Sequence, residues 1–271
     1  MIYVYDGSFF GYLSAVFDAW HDGLQHTEDI HCDGAGDLFG RQQYVPADGV
    51  KAKRILDGLQ AQCGGKTCHF LYYAFLAEQP QREMKLLQYI RQAFRLKGEF
   101  LHHLSEPAVW EVRQWARKTG NERHKLLGLA RFQELKGGML YCPLAPTCCV
   151  VPVMAPHFVK RLGSEEWVIH DRRRRIGVYY DRREAVLVDI PKVLQRVDVS
   201  AQEEEFAALW KQYYRTIAMP NGGTTRCAGS SCRKNTGPIS SKSGTGRIRG
   251  KSRNKLFLFP GTCYIIAILD Y

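Results

Sequence analysis

Apolar positions recur along this chain in more than one rhythm, and each rhythm predicts an element. Ile2–Tyr5 is a short apolar run that stops at Asp6-Gly7, and Phe9, Leu13, Val16, Phe17 and Trp20 then fall on one face of a helix that Ser8 can cap. The opening is therefore β-turn-α. Residues 25–46 are polar and glycine-rich, which predicts loop interrupted by one short strand at Gln42–Val45. Three helical patterns follow between residues 47 and 104, and in the strongest, EMKLLQYIRQAFRL, Met84, Leu87, Ile90 and Phe94 recur at helical spacing.

The stretch SEPAVWEVRQWARKTGNERHKLLGLARFQELKGG predicts two basic amphipathic helices separated at Thr119-Gly120-Asn121. Ser105 caps the first, with Pro107 in its opening turn, and Gly137-Gly138 closes the second. After them the pattern predicts a strand over 139–144, a short helix over 156–162 that opens near Pro156, and three short alternating strands within 167–190. A last helix over 201–218 carries Phe206, Leu209, Trp210, Tyr213 and Tyr214. Strands at both ends of a helical middle imply one α+β domain spanning 1–219, its helices packed on a small, mainly antiparallel sheet that includes the N-terminal strand. HDRRRRIGVYYD sets four consecutive arginines between two alternating segments, so the run reads as a hairpin turn.

Composition changes this picture little. With 271 residues, 45% of them hydrophobic, the chain can bury one large core or two small ones. No apolar run approaches the roughly 20 residues that span a bilayer, and MIYVYDGSFF has no basic n-region or cleavage site, so a cytoplasmic address is expected. The nine cysteines contain no C-x-x-C pair and read mostly as buried thiols, and neither a metal nor a cofactor is expected. The net charge of +11 is uneven: nine Lys/Arg against Asp270 give +8 from residue 222 onward, leaving +3 on the rest. A modestly basic body is compatible with nucleic acid without requiring it.

No phosphate-binding glycine loop, H-E-x-x-H, G-x-S-x-G or paired-carboxylate signature occurs. Three constellations remain. In NERHKLLGLARFQEL, His124, Gly128, Arg131 and Leu135 share a face at helical spacing, and Gly128 would admit a close neighbour or a ligand. Lys118, Arg123, Lys125 and Arg131 in that region could meet phosphates. In MAPHFVKRL, His157 and Arg161 stand four apart on a short helix, where they could hold a phosphate or orient a base, or simply complete a core. In the hairpin, Asp171 and Arg174 could pair, and Tyr179 and Tyr180 could stack on bases or fill a core.

Taken together, IYVYDGSFFGYLSAVFDA, YYAFLAEQP, EPAVWEVRQWARKTGNERHKLLGLARFQEL, MAPHFVKRL and HDRRRRIGVYYD resemble, in order and spacing, a bacterial family of DNA metabolism and DNA repair proteins with a central domain of unknown function. The resemblance spans about residues 1–219. It implies a DNA-linked role beside a radical SAM protein, and in some lineages the domain is fused to a uracil-DNA glycosylase-like domain. Asp171, Arg174, Gly177, Tyr179 and Tyr180 meet the family's Asp-x-x-Arg-x-x-Gly-x-Tyr-Tyr pattern, leaving Arg172 and Arg173 as ordinary turn residues. His124, Arg131, Phe132 and Glu134 meet a second segment, and His157, Phe158 and Arg161 a third.

Three readings follow. The first is a nucleic-acid-binding accessory to the radical SAM partner, with Arg117, Lys118, Arg123, Lys125 and Arg174 on phosphates and Tyr179 and Tyr180 on bases. The second is an enzyme acting on damaged DNA, in which His124, Arg131, His157, Arg161 and Asp171 converge on one cleft. The third is a protein–protein adaptor presenting Trp110, Trp115 and the tyrosines. Beyond residue 220 the chain loses its apolar periodicity and then closes in a short apolar end. Codons permitted for residues 220–243, read one base earlier, can give ERRNHPLRWQLMPKKYWAYLIEKW, with the E-R-x-N and M-P-x-x-Y-W segments by which the resembling family continues. The third bases of those codons are free, so part of the match is built in, and a native disordered basic tail is the alternative. The frameshift is the favoured expectation for residues 220–271, which are expected to be poorly ordered, and their +8 is set aside as evidence for DNA.

Overall fold

Ser8 starts the first helix as the sequence predicts: its Oγ accepts from the Gly11 N–H at 2.9 Å, while the Asp6 carboxylate accepts from both the Ser8 N–H and its hydroxyl. In the computed structural model, which describes residues 1–32, 41–102, 105–135 and 138–190, β1 (Ile2–Tyr5) leads into α1 (Phe9–His21). Then come β2 (Asp29–Cys32), β3 (Gln42–Val45), α2 (Gly49–Cys63), α3 (Gly65–Phe75), α4 (Arg82–Leu96) and α5 (Pro107–Leu129). A two-residue strand β4 (Gln133–Glu134), β5 (Leu140–Leu144), α6 (Val151–Arg161), β6 (Trp167–Asp171), β7 (Ile176–Tyr180) and β8 (Ala185–Asp189) complete it. The helix expected over 201–218 and the segment from 220 onward lie outside the described residues.

The chain gathers into two compact units, Met1–Gly120 and one that begins at Asn121. In the first, all four residues of β1 are buried, as a central strand covered on both faces requires. Its neighbours β2 and β3 both run parallel to it, in the order β2-β1-β3. This corrects the expectation of a mainly antiparallel sheet around the N-terminal strand. The helix α1 carries the chain back before β2, and that crossover makes adjacent strands parallel. The polar stretch hid β2 because Ile30 is its single buried side chain, so no alternation marks it.

Around this sheet, Phe9 of α1 meets Tyr72 and Phe75 of α3 with ring centroids 4.9 and 5.1 Å apart. The start of α4 is tied to β1 by a charged network: Tyr5 donates to the Glu83 carboxylate at 2.8 Å, and Arg82 donates to the same carboxylate at 2.9 Å and to the Phe75 carbonyl at 2.9 Å. Burial pushes the Tyr5 hydroxyl well above the ordinary tyrosine range.

The expected break at Thr119-Gly120-Asn121 does not occur, and α5 runs through it. Val109, Val112, Ala116, Thr119 and Leu126 are all buried at spacings of three, four and seven, so the apolar stripe stays in phase across Gly120. A helical glycine costs about 1 kcal/mol, too little to outweigh a continuous packed face.

The second unit holds a five-stranded sheet, β4-β5-β6-β7-β8, in which β5 and β6 are parallel and every other pair is antiparallel. The helix α6 connects β5 to β6, and Phe158 on α6 meets Trp167 and Phe132 edge-on. It starts at Val151, five residues before the expected Pro156, which sits inside it. Pro152 occupies the first turn, where no N–H is needed. Burial largely alternates along the strands: Cys142, Leu144, Trp167, Ile169, Val178, Tyr180 and Ala185 are buried, and Tyr141, Pro143, Val168, Tyr179 and Val186 are half-buried, although His170 and Gly177 on that second face are buried too.

Gly177 lies where β7 passes closest to its surroundings. A Cβ there would overlap the Ile190 side chain and stand 2.9 Å from the Ile169 carbonyl oxygen. Gly177→Ala is expected to cost roughly 1–3 kcal/mol, the range for forced overpacking, measured by urea unfolding. Gly128→Ala, which meets nothing within 4 Å, serves as the control and is expected to be neutral or stabilising.

Candidate functional site: a clamped loop and a cationic surface

The arginine run forms the β6–β7 turn. The Asp171 carbonyl accepts from the Arg175 N–H at 2.8 Å, and Arg175 takes a left-handed φ of 59°. One oxygen of the Asp171 carboxylate accepts from the backbone N–H groups of Arg173 and Arg174 at 2.9 and 3.1 Å, and the other accepts from Arg174 Nη1 at 2.8 Å. Asp171 is fully buried, so this pairing is what makes its charge tolerable there. Arg174 reaches further. Its guanidinium donates to the carbonyls of Pro146 and Thr147 at 3.2 and 2.7 Å.

Those carbonyls belong to the loop between β5 and α6, and its other side is held as well. Glu122, on α5, accepts from the N–H groups of Thr147 and Cys148 at 2.6 and 2.7 Å. The loop is thus fixed through its carbonyls by a cation and through its amides by an anion. Arg174, expected on phosphates, is engaged inside the protein. Glu122 was not singled out by sequence reasoning, because a lone acid in NERHK carries no local sign of a partner 25 residues away.

Next to Glu122, Arg123 Nε donates to the Val153 carbonyl of α6 at 2.8 Å. This draws its guanidinium to the helix that carries His157, Lys160 and Arg161. His157 is held below the usual histidine range, first by burial and then by the positive charges of Arg161, Arg123 and Lys160. Among the described residues no carboxylate pairs with Arg123, Lys125, Lys160 or Arg161. His124 and Lys125 are exposed on α5 beside Arg123. The result is a cluster of positive charge around a neutral imidazole.

Of the five residues expected to converge, the geometry links His157 with Arg161. Asp171 has both carboxylate oxygens engaged in its own turn. Arg131 falls past the end of α5, so the helical face expected for His124, Gly128, Arg131 and Leu135 stops at Gly128; Arg131 is buried, its backbone N–H toward the Cys142 thiol, which burial pushes up to about 12. Arg117 and Lys118 are exposed on α5 within the first unit, as is Trp110 at 54%, while Trp115 is half-buried. Tyr180 is a core residue stacked on Trp167 at 5.2 Å, whereas Tyr179 lies on the opposite face of the sheet and donates to the Glu166 carboxylate. Arg172 is more than a turn residue: its charge bears on both Tyr141 and His170, whose hydroxyl and Nδ1 are 2.7 Å apart.

Among the described residues no three His, Cys, Asp or Glu side chains gather in a metal-holding group, and no helix is long and apolar enough to cross a membrane. Fold and site thus define an α/β chain of two compact units, the second of which carries a cationic surface that no carboxylate among the described residues neutralises. The chain belongs to the family of the domain of unknown function DUF4130, whose model matches residues 80–231. No curated protein and no solved structure matches it.

Arg174→Ala leaves a fully buried carboxylate without its ion partner, and a loss of about 3–5 kcal/mol in unfolding free energy is expected. Arg172→Ala in the same turn is expected to stay within about 0.5 kcal/mol. For His157, proton NMR is expected to show titration below the ordinary value of about 6.5, moving upward in Arg161→Ala. Because its folded value is the lower one, the unfolded chain takes up the proton first. The stability that His157 contributes is fully present above the ordinary value and is lost as pH falls from there through the lower folded one.

Proposed function

We propose that the chain is a DNA-metabolism accessory that binds nucleic-acid phosphates through Arg123, Lys125, Lys160 and Arg161 and works beside a radical SAM partner. The observation that carries this reading is His157: its charged neighbours on α5 and α6 are all cations, and no carboxylate neutralises them among the described residues. A polyanion would supply the missing counter-charge. The resemblance of the motifs to DNA-repair proteins supports DNA as that polyanion. An enzyme reading is less well supported, because the turn already engages both oxygens of Asp171, the carboxylate meant to orient a base.

Binding by this mode releases counterions, so log K against log salt should be linear with a slope near 0.9 per neutralised phosphate on duplex DNA. Fluorescence anisotropy between low and moderate salt measures it. The double variant Lys160→Ala/Arg161→Ala should bind more weakly and lower the slope by roughly 1–2. An affinity that does not change with salt would rule the reading out. Copurification with the radical SAM partner in the absence of DNA would instead favour the adaptor.

A further inference from the structure

The two faces of the second sheet differ in kind. One is buried under α6, and the other carries Tyr141, Pro143, Val168, His170, Tyr179 and Val186. The register sets Tyr141 opposite Val168 and Val168 opposite Tyr179, so the two tyrosines stand in one row across β5, β6 and β7. Two strand spacings separate them, about 10 Å. Both tyrosines are half-buried and share this face with His170, which is buried, its ring 5.9 Å from Tyr141. Ile190 covers the same face at Gly177, so the accessible part of the face is the row of the two tyrosines. The turn at one end of the face adds exposed Arg172, Arg173 and Arg175. At the other end Glu166 takes the Tyr179 hydroxyl and lies 3.8 Å from Arg182, while Asp189, paired with Ile176, is a single exposed carboxylate at the turn end beside the three arginines.

We propose that this face is a stacking platform for single-stranded nucleic acid, with bases lying on Tyr141 and Tyr179 and the backbone entering past Arg172. Aromatic rings spaced along a sheet, with guanidinium groups at one edge, match unpaired bases joined by phosphates. A duplex hides its base faces and offers such rings nothing to stack on. The charge at the turn end is complementary to a nucleic-acid backbone, and this selects a strand over an apolar peptide. The hairpin that holds Arg174 inside leaves Arg172 on the side of Tyr141 and His170, so one turn both braces the loop and edges the platform. The platform shares its polyanionic partner with the function proposed above but none of its residues.

The test uses the full chain with a fluorescein-labelled twelve-residue oligothymidine and a duplex of equal length. Tyr179→Ala and Tyr141→Ala are each expected to weaken single-strand binding roughly ten-fold, within the range for one stacked base, with little effect on the duplex. Tyr179→Phe keeps the ring and should retain single-strand binding, which separates stacking from loss of the Glu166 hydrogen bond. In the free protein both tyrosine rings should be oxidised in hydroxyl-radical footprinting and become protected by the oligonucleotide, read by mass spectrometry. The inference is overturned if the alanine variants bind the strand as well as wild type or lose strand and duplex equally. It also falls if the tyrosines are unreactive in the free chain, because another segment or a second copy then covers them. Losses confined to Lys160→Ala/Arg161→Ala would sink the platform and leave the phosphate surface standing. Losses confined to the tyrosine variants would do the reverse.

Discussion

The second unit is organised around one short loop gripped from two sides. Glu122 holds the amides of Thr147 and Cys148, and Arg174 holds the carbonyls of Pro146 and Thr147, while Asp171 fixes Arg174. Backbone groups without partners are costly away from water. Here charged side chains from α5 and from the β6–β7 turn replace the water. That grip sets where α6 begins, and α6 in turn carries His157, Lys160 and Arg161. The cationic surface therefore depends on an anion and a cation that never need to touch a ligand.

The same clamp explains why four arginines in sequence play different parts. A turn in which Asp171 accepts from two backbone amides points successive side chains in different directions. Arg174 enters the protein, and Arg172, Arg173 and Arg175 remain exposed. Like charges crowded into one turn repel one another, and the fixed carboxylate of Asp171 offsets part of that repulsion. Sheet alternation does similar work at Tyr179 and Tyr180: one residue apart, the first faces outward and the second completes the core against Trp167.

Much of this was legible from local pattern. The first strand, the Ser8 cap, α2 to α4 and β5 to β8 follow from periodicity and turn chemistry, because their burial repeats at short range. The edge strand β2 was not legible, since one buried residue makes no pattern. The continuity of α5 was missed because Gly120 reads as a breaker, while the stripe that overrides it extends on both sides. The early start of α6 was missed because no side chain caps it, so no capping residue in the local sequence announces its first turn. At the site, His157 with Arg161 was found because i and i+4 share a helix face. Glu122, Tyr141 and His170 were not, because each acquires its role from a partner distant in sequence.

Amide hydrogen exchange at Thr147 and Cys148, compared between wild type and Arg174→Lys, tests the clamp most directly. Lysine keeps the charge but loses the planar fork that spans Asp171 and two carbonyls. The account predicts slow exchange at both amides in wild type and a marked acceleration at both in Arg174→Lys, although that substitution touches only the carbonyl side of the loop. Amides that exchange rapidly in wild type, or that stay equally protected in the variant, would contradict it.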